Sequence, residues 1–478
     1  VDDGGRVPES GLAAAVGVPL VVAEEVAAGG VGLLIIALFA YLRTSLRALP
    51  QIAVWLLKGR TCLERKLVEA GIARNLSLSP HLAELLGRAA VAGRPVYVAS
   101  QRCSPLLDAL VASHPVLAGV VTVPRGGLDA RHGADQALGC FPDGFVAVLK
   151  QRGSVRTVSH APAGMLAHSP GPLESAFDDA LPHGGTLREI VRSLRLHQCV
   201  KNSVVFVPLV LSGRFTVPAE IVDTLLAFVA LTCVACGTYI LNDIWDVADD
   251  RAHWSKRERP IASGRLSAAT AISLAIVLIP AGLALAAAVS WHTCALLLAY
   301  LALTLSYSLY VKTVPFVDGL ALATLFTIRL GIGVVAPDAP PAPWLFVFSM
   351  FLFASLSYAK RHTEICRTIA HKSHALNVRG YRPDDAPMVL AVGLAAGVGA
   401  VMIMVLYIVE EAFRNSFYGA VAWLWGFPPL VFLFVVRIWL VSVRGEMMDD
   451  PVAFAIRDKA SIGLLGLLLV CFGFAWLG

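Results

Sequence analysis

The chain has 478 residues, 57% of them hydrophobic and only 15% charged, with a net charge of +5 at neutral pH and a mean hydropathy of +0.70. Soluble domains carry about 25% charged residues, so a chain this apolar cannot clothe a water-facing surface and must set most of its length against lipid. An ordinary soluble enzyme is excluded, and the slight basic excess gives no reason to expect nucleic acid as a partner. The nine cysteines are scattered and odd in number, which fits reduced thiols better than a disulfide framework. Cys233 and Cys236 form a CxxC inside an apolar segment, which reads as small-residue helix packing.

In chain order, the composition changes near residue 185 and divides the chain into 1–185 and 186–478. Apolar runs in the first part are short and interrupted by Arg, Pro, Gly and His, the pattern of a mixed α/β domain. Residues 18–22 and 95–99 read as buried strands, and 63–70 and 80–92 have helical spacing. The apolar stretch 29–41, at about 13 residues, is too short to cross a bilayer that needs about 20, and reads as a buried or interfacial helix. The opening Val1-Asp-Asp-Gly-Gly lacks the basic region of a signal peptide.

The second part holds nine apolar segments, at approximately 200–212, 219–243, 266–290, 292–311, 315–336, 342–359, 386–409, 418–442 and 460–478. The first is short and the others are adequate spans. Alternate loops differ sharply in charge: one set carries fifteen Lys and Arg, the opposite set only Arg214 and Arg414. The positive-inside rule then puts the first set and the N-terminal domain in the cytoplasm, and the C-terminus outside. The expected protein is a multi-pass protein of the inner (cytoplasmic) membrane: an all-α domain of about nine transmembrane helices, preceded by a cytoplasmic α/β domain.

Chemistry concentrates after the second segment. Asn242, Asp243, Asp246 and Asp250 stand at its cytoplasmic end, and offsets of three and seven put Asp243, Asp246 and Asp250 on one helix face. Three carboxylates on one face repel each other unless a cation sits among them. Mg2+ favours a few carboxylates plus substrate phosphates, so the pattern suits a Mg-pyrophosphate. The bland alternative is a solvated acidic helix end, but the basic run Lys256-Arg257-Glu-Arg259-Pro260 follows at once and can hold phosphate oxygens.

Asn242-Asp243-Ile-Trp-Asp246-Val-Ala-Asp-Asp250 resembles the first aspartate-rich motif of the UbiA superfamily of intramembrane prenyltransferases, over residues 186–478. The resemblance implies nine transmembrane helices around a central cavity and a diphosphate held through Mg2+ on Asp243, Asp246 and Asp250. A second aspartate-rich motif is expected in the loop after the sixth span. Here Ser357-Tyr358-Ala-Lys360-Arg361-His-Thr-Glu364 stands instead, with one carboxylate and two cations. A cation pair suits a separate phosphate, and this variant resembles the branch of decaprenyl-phosphate phosphoribosyltransferases. The segments Arg251 to Gly264, His197-Gln-Cys-Val-Lys201-Asn202 and Asp449 to Asp458 match the same branch.

That branch implies transfer of 5-phosphoribose from phosphoribosyl pyrophosphate to a polyprenyl phosphate. Asp243, Asp246 and Asp250 would carry the metal and the catalysis, with Lys201, Arg257 and Arg259 on donor phosphates. Lys360 and Arg361 would take the acceptor phosphate or the donor 5-phosphate, and Glu364 would orient a cation or touch ribose. Asn202, Asn242, Lys256, Tyr307, Lys312 and Tyr358 complete the expected substrate contacts. Tyr307, Lys312, Asp318 and Arg329 are ionisable groups in or beside spans, where such groups are costly and usually functional; Arg329 alternatively snorkels or pairs with Asp318. The turn at Arg379-Gly-Tyr381 either belongs to the site or closes a loop. Two other readings stand beside this one: prenyl transfer from a prenyl diphosphate to an aromatic acceptor, and a polytopic cation-binding or transport protein.

The first part resembles, more weakly, the haloacid dehalogenase domains. The family's catalytic Asp-x-Asp would fall at Ala23 and Glu25, and Ala23 cannot form a phosphoaspartate. Its later acidic pair would fall near 158–164, which has no carboxylate, and 131–137 has no Lys. The domain therefore reads as a degenerate, non-catalytic phosphatase with a structural, regulatory or homo-oligomer role, and His160 as an ordinary histidine.

Overall fold

The computed structural model describes residues 20–23, 32–44, 46–72, 76, 78, 80–91, 93, 95–100, 103–122, 145–151, 154–160, 186–253, 256–339, 343–370, 380–410, 412, 418–447 and 451–477. Val1 to Gly5, Glu25, 131–137, 161–164, Arg379 and Asp449, which figure in the sequence reading, lie outside them. The chain divides into two compact units, Val1–Leu196 with Tyr239–Ile276, and His197–Thr238 with Val277–Gly478.

The first unit holds a five-stranded sheet in the order β3-β2-β1-β4-β5. Its strands are β1 (Leu20–Ala23), β2 (Val96–Ser100), β3 (Leu117–Thr122), β4 (Phe145–Gln151) and β5 (Ser154–His160). The pairs β1–β2, β1–β4 and β2–β3 are parallel, while β5 returns antiparallel on β4. Leu20, Val22, Val96 and Val98, on one face of the sheet, are fully buried, and Ala99 on the other face is buried too, as parallel strands covered on both faces require. The expected helices are found at Arg60–Glu69 and Pro80–Val91. Helix Leu33–Thr44, at about 12 residues, is too short to cross a bilayer.

Among the described residues, eight helices are long and apolar enough to cross a membrane: Pro218–Trp245, Ala268–Val289, Trp291–Leu309, Val317–Val335, Pro343–Ile369, Pro383–Glu410, Val421–Val443 and Lys459–Leu477. The chain is thus a multi-pass membrane protein. The first of the nine apolar segments is a 3-10 helix, Leu196–Phe206, running into a short α-helix, Val207–Leu211; at about 16 residues it falls short of a full crossing of about 20.

One boundary moves far enough to matter. The span placed at 342–359 is a helix that continues from Pro343 to Ala370, so Lys360, Arg361 and Glu364 are helical rather than in a loop. Lys, Arg and Glu are good helix formers, and a charge can stay in the helix where a partner neutralises it. Within the second unit this helix packs on Ala386–Glu410 and Phe427–Val443 around Tyr358, Val389, Val435, Ile438 and Trp439. Trp439 Nε1 donates to Ser355 Oγ at 3.0 Å, and Ser355 Oγ donates to the carbonyl of Gly393 at 2.7 Å, a polar tie of the kind that joins helices in lipid.

Candidate functional site

In the first unit the aspartate-rich motif straddles a break. Helix Pro218–Trp245 ends at Trp245, Asp246 occupies the junction, and helix Val247–Ala252 follows. The path stays nearly helical, because Asp246 N–H donates to Asn242 O at 2.9 Å and Asp250 N–H to Asp246 O at 2.8 Å. The seven-residue offset therefore brings Asp243 and Asp250 together, each 2% exposed. Both accept from Arg259 Nη1, at 3.2 Å and 2.6 Å respectively, and Arg195 Nη2 donates to Asp243 as well. Burial pushes the Asp250 carboxyl up to about 6, against the opposing pull of Arg259.

Asp246 is engaged elsewhere, accepting from Asn242 Nδ2 at 3.2 Å. Among the described residues no three acidic, histidine or cysteine side chains group closely enough to hold a metal ion. Two hard oxygen donors that already share one cationic nitrogen do fit Mg2+ in the form it favours, with one or two carboxylates and substrate phosphate completing its shell. The basic residues differ in setting. Arg257 is exposed, 3.8 Å from Glu258, and Lys256 is half-buried. Arg251 is buried, donating from Nε to Ala262 O at 3.0 Å.

Arg195 was not marked by the sequence. It follows the amphipathic helix Thr186–Ser193 as one of three arginines in that stretch, and its contact with Asp243 spans 48 positions. Its one local signal, proximity to His197, comes from a motif whose partners are distant. Beyond the motif, Arg43 bonds Asp249 at 2.7 Å and Phe39 meets Trp245 edge-on at 5.8 Å, so helix Leu33–Thr44 abuts the aspartate-rich turn.

The second unit gathers a different cluster. Arg361 is 1% exposed. Its Nε donates to Asp318 Oδ2 at 2.5 Å, Nη1 to Glu364 Oε2 at 2.5 Å and Nη2 to Tyr307 at 3.2 Å. Asp318 also accepts from the Tyr381 hydroxyl at 2.7 Å, so Tyr381 belongs to this cluster. Tyr358 donates to the carbonyl of Phe316 at 2.9 Å. Lys360 is half-buried on the same helix as Arg361, and Lys312 is half-buried on the 3-10 turn Val311–Thr313.

Asn202, 1% exposed, donates to Thr232 at 3.2 Å and accepts from Arg329 Nε at 3.0 Å; Lys201 beside it is half-buried. Arg329 does not pair with Asp318. Its remaining nitrogens donate to Leu325 O at 2.8 Å and Tyr300 at 3.0 Å. The Tyr300 and Phe326 rings each lie 4.9 Å from its guanidinium. Asp458 receives Arg437 at 3.0 Å and caps helix Lys459–Leu477 through Ser461 N–H, also at 3.0 Å, a structural duty. Cys236 meets Cys199 at 3.7 Å, and none of the eight described cysteines is in a disulfide.

The model of the UbiA prenyltransferase family matches residues 203–456, more than half of the chain. An uncharacterized protein, y4nM, of Sinorhizobium fredii is 32% identical over 87% of this chain and 82% of its own length. Nodulation protein NoeC of Azorhizobium caulinodans is 32% identical over 58% of this chain and 89% of its own. The decaprenyl-phosphate phosphoribosyltransferase of Mycobacterium tuberculosis is 26% identical over 58% of this chain and 91% of its own.

Proposed function

Because the chain belongs to the UbiA prenyltransferase family, whose members are transferases, we propose that it is a Mg2+-dependent intramembrane transferase. It moves 5-phosphoribose from phosphoribosyl pyrophosphate to a polyprenyl phosphate and releases pyrophosphate. The observation that carries this reading is the inequality of two carboxylate pairs. Asp243 and Asp250 share Arg259, whose side chain is 26% exposed and free to exchange. Asp318 and Glu364 share Arg361, which is 1% exposed. A guanidinium so enclosed cannot leave for an incoming ion without stranding buried charge. One exchangeable pair suits one diphosphate substrate and an acceptor that is already an anion, whereas ionising a prenyl diphosphate draws on two metal-binding clusters. The similarity to the Mycobacterium tuberculosis phosphoribosyltransferase supports the same choice.

Asp243 and Asp250 would hold Mg2+ against the donor pyrophosphate, and the ion would supply charge neutralisation of the leaving group. As found, the two carboxylates are balanced by Arg195 and Arg259. Arg195 and Arg259, beside the carboxylates that would hold the ion, would take pyrophosphate oxygens. Lys201, Lys256 and Arg257 are assigned to the donor as further phosphate contacts, and Asn242 holds Asp246 through its hydrogen bond. Lys312 and Lys360 are assigned to the other phosphate, with Tyr307, Tyr358 and Glu364 acting on it through Arg361 and the Phe316 turn. The acceptor needs no general base, since a phosphate monoester is anionic at neutral pH.

Residues 1–185 are read as a non-catalytic, haloacid dehalogenase-like cytoplasmic domain, because the sequence has Ala at 23, where the resemblance expects the nucleophilic Asp. Residues 186–478 form the transferase in the inner membrane, oriented by the charge asymmetry of the loops. In the test, purified protein with Mg2+, labelled phosphoribosyl pyrophosphate and a polyprenyl phosphate yields a lipid-linked phosphoribose, and EDTA abolishes it. Absence of that product, together with consumption of a prenyl diphosphate and an aromatic acceptor, overturns the reading in favour of prenyl transfer.

A further inference from the structure

Phe316 adopts φ 66° and ψ −40°, and the N–H of Val317 donates to the carbonyl of Pro315 at 2.8 Å. This is the γ-turn of positive φ, a rare and strained form, placed at a bulky residue that avoids positive φ. Strain of this kind persists only where the surroundings enforce it. Both peptide groups of Phe316 are held: its N–H donates to the Tyr381 hydroxyl at 2.7 Å, and its carbonyl accepts from the Tyr358 hydroxyl at 2.9 Å. The Tyr381 hydroxyl donates in turn to Asp318 Oδ1 at 2.7 Å, and Arg361 holds the other oxygen of that carboxylate. Tyr381 is 2% exposed and Asp318 fully buried.

The adjoining Gly380, at φ +81°, lies so close to the turn that a Cβ there would stand 2.3 Å from the carbonyl oxygen of Thr313. Thr313 ends the 3-10 turn Val311–Thr313, which carries Lys312. Segment 380–381 therefore grips both the strained residue and the turn before it. A hydroxyl that serves as acceptor for one backbone N–H and donor to a buried carboxylate is replaced by nothing that water could supply at such a site.

We propose that Tyr381 is a positioning residue: backed by Asp318 and Arg361, it holds the strained turn at Phe316, and through it fixes the Val311–Thr313 turn so that Lys312 meets a substrate phosphate. The part played by Lys312 rests on the reaction proposed above; the holding of the turn does not.

The test combines Tyr381→Phe with Phe316→Gly in the full-length protein. Glycine enters positive φ without steric penalty, so a glycine turn no longer needs its tie. Two readouts are taken: the rate of Lys312 acetylation by a water-soluble, amine-reactive acetyl ester, measured by mass spectrometry against the other lysines, and the steady-state constants with phosphoribosyl pyrophosphate and a polyprenyl phosphate. Tyr381→Phe should change the Lys312 acetylation rate about tenfold, the worth of one hydrogen bond to a charged partner. It should raise KM for a phosphorylated substrate by a similar factor while kcat changes less than about twofold. Adding Phe316→Gly should cancel most of both effects, since residues acting on one turn are not additive.

The proposal is overturned if Tyr381→Phe leaves Lys312 reactivity and KM unchanged, or if its effects are as large in the Phe316→Gly background. Should Tyr381→Phe fail to fold, Tyr358→Phe, which removes the side-chain bond to the carbonyl of the same turn and leaves that carbonyl only the Leu320 N–H at 3.2 Å, is read by the same criteria. If the wild-type protein transfers no phosphoribose, the proposed reaction fails, while the Lys312 acetylation comparison still decides the role of Tyr381.

Discussion

Enclosed arginines are matched in two ways in this protein. Arg361 is matched by charge, through Asp318 and Glu364, whereas Arg329 is matched by neutral acceptors and two aromatic faces. Replacing Arg361 with Lys keeps the charge but loses the planar fork that reaches three partners at once. The variant should unfold at a clearly lower temperature, by about 3 kcal/mol of stability, whereas Lys360→Gln should raise KM for a phosphorylated substrate. At the first motif, Asp243→Asn and Asp250→Asn should each lower phosphoribosyl transfer about a hundredfold or more and raise the Mg2+ concentration needed for half-maximal rate. Retained turnover in either variant would sink the metal assignment. The pairing of Asp243 with Asp250 was legible, because seven residues make two helical turns. Arg195 was not, because nothing local in a sequence reports a partner 48 residues away.

Helices in this protein are set by length and apolarity, and their contacts by small residues. The spans read from hydropathy agree with the observed ones to within a few residues, except where the helix Pro343–Ala370 continues past its apolar stretch. Hydropathy ends at the first cation; the helix does not, because Asp318, on another helix, neutralises Arg361. Close helix contact can be tested at two glycines. A Cβ at Gly333 would lie 2.0 Å from the carbonyl oxygen of Val205, so Gly333→Ala should separate segment Leu196–Phe206 from helix Val317–Val335. A loss of about 1–3 kcal/mol is expected, read as a drop in melting temperature in detergent. Gly463 has nothing within 4 Å of its Cβ position, so Gly463→Ala in helix Lys459–Leu477 should be neutral or gain up to about 1 kcal/mol from helix propensity. Equal effects at the two sites would contradict this account.

For the molecule as a whole, the short segment Leu196–Leu211 decides the topology. If it completes a crossing, the charge asymmetry of the loops puts the two ends of the membrane domain on opposite sides. A periplasm-active phosphatase reporter fused after Leu477 should then be active, and a cytoplasm-dependent fluorescent reporter dark; the reverse result would mean that the segment enters and leaves on one side. Composition and order of residues determined that most of the chain faces lipid, where its spans lie, and that a carboxylate pair and a basic run share one loop. Those are properties of water, hydrocarbon and helical period, which act on neighbours in sequence. Only the tertiary structure decided which charges are spent on each other. It put Arg361 between Asp318 and Glu364, gave Asp243 two arginines, and made Tyr381 a tie rather than a loop residue. A buried charge takes whichever partner packing brings within reach, and the energy of that choice is stored between segments far apart in the chain.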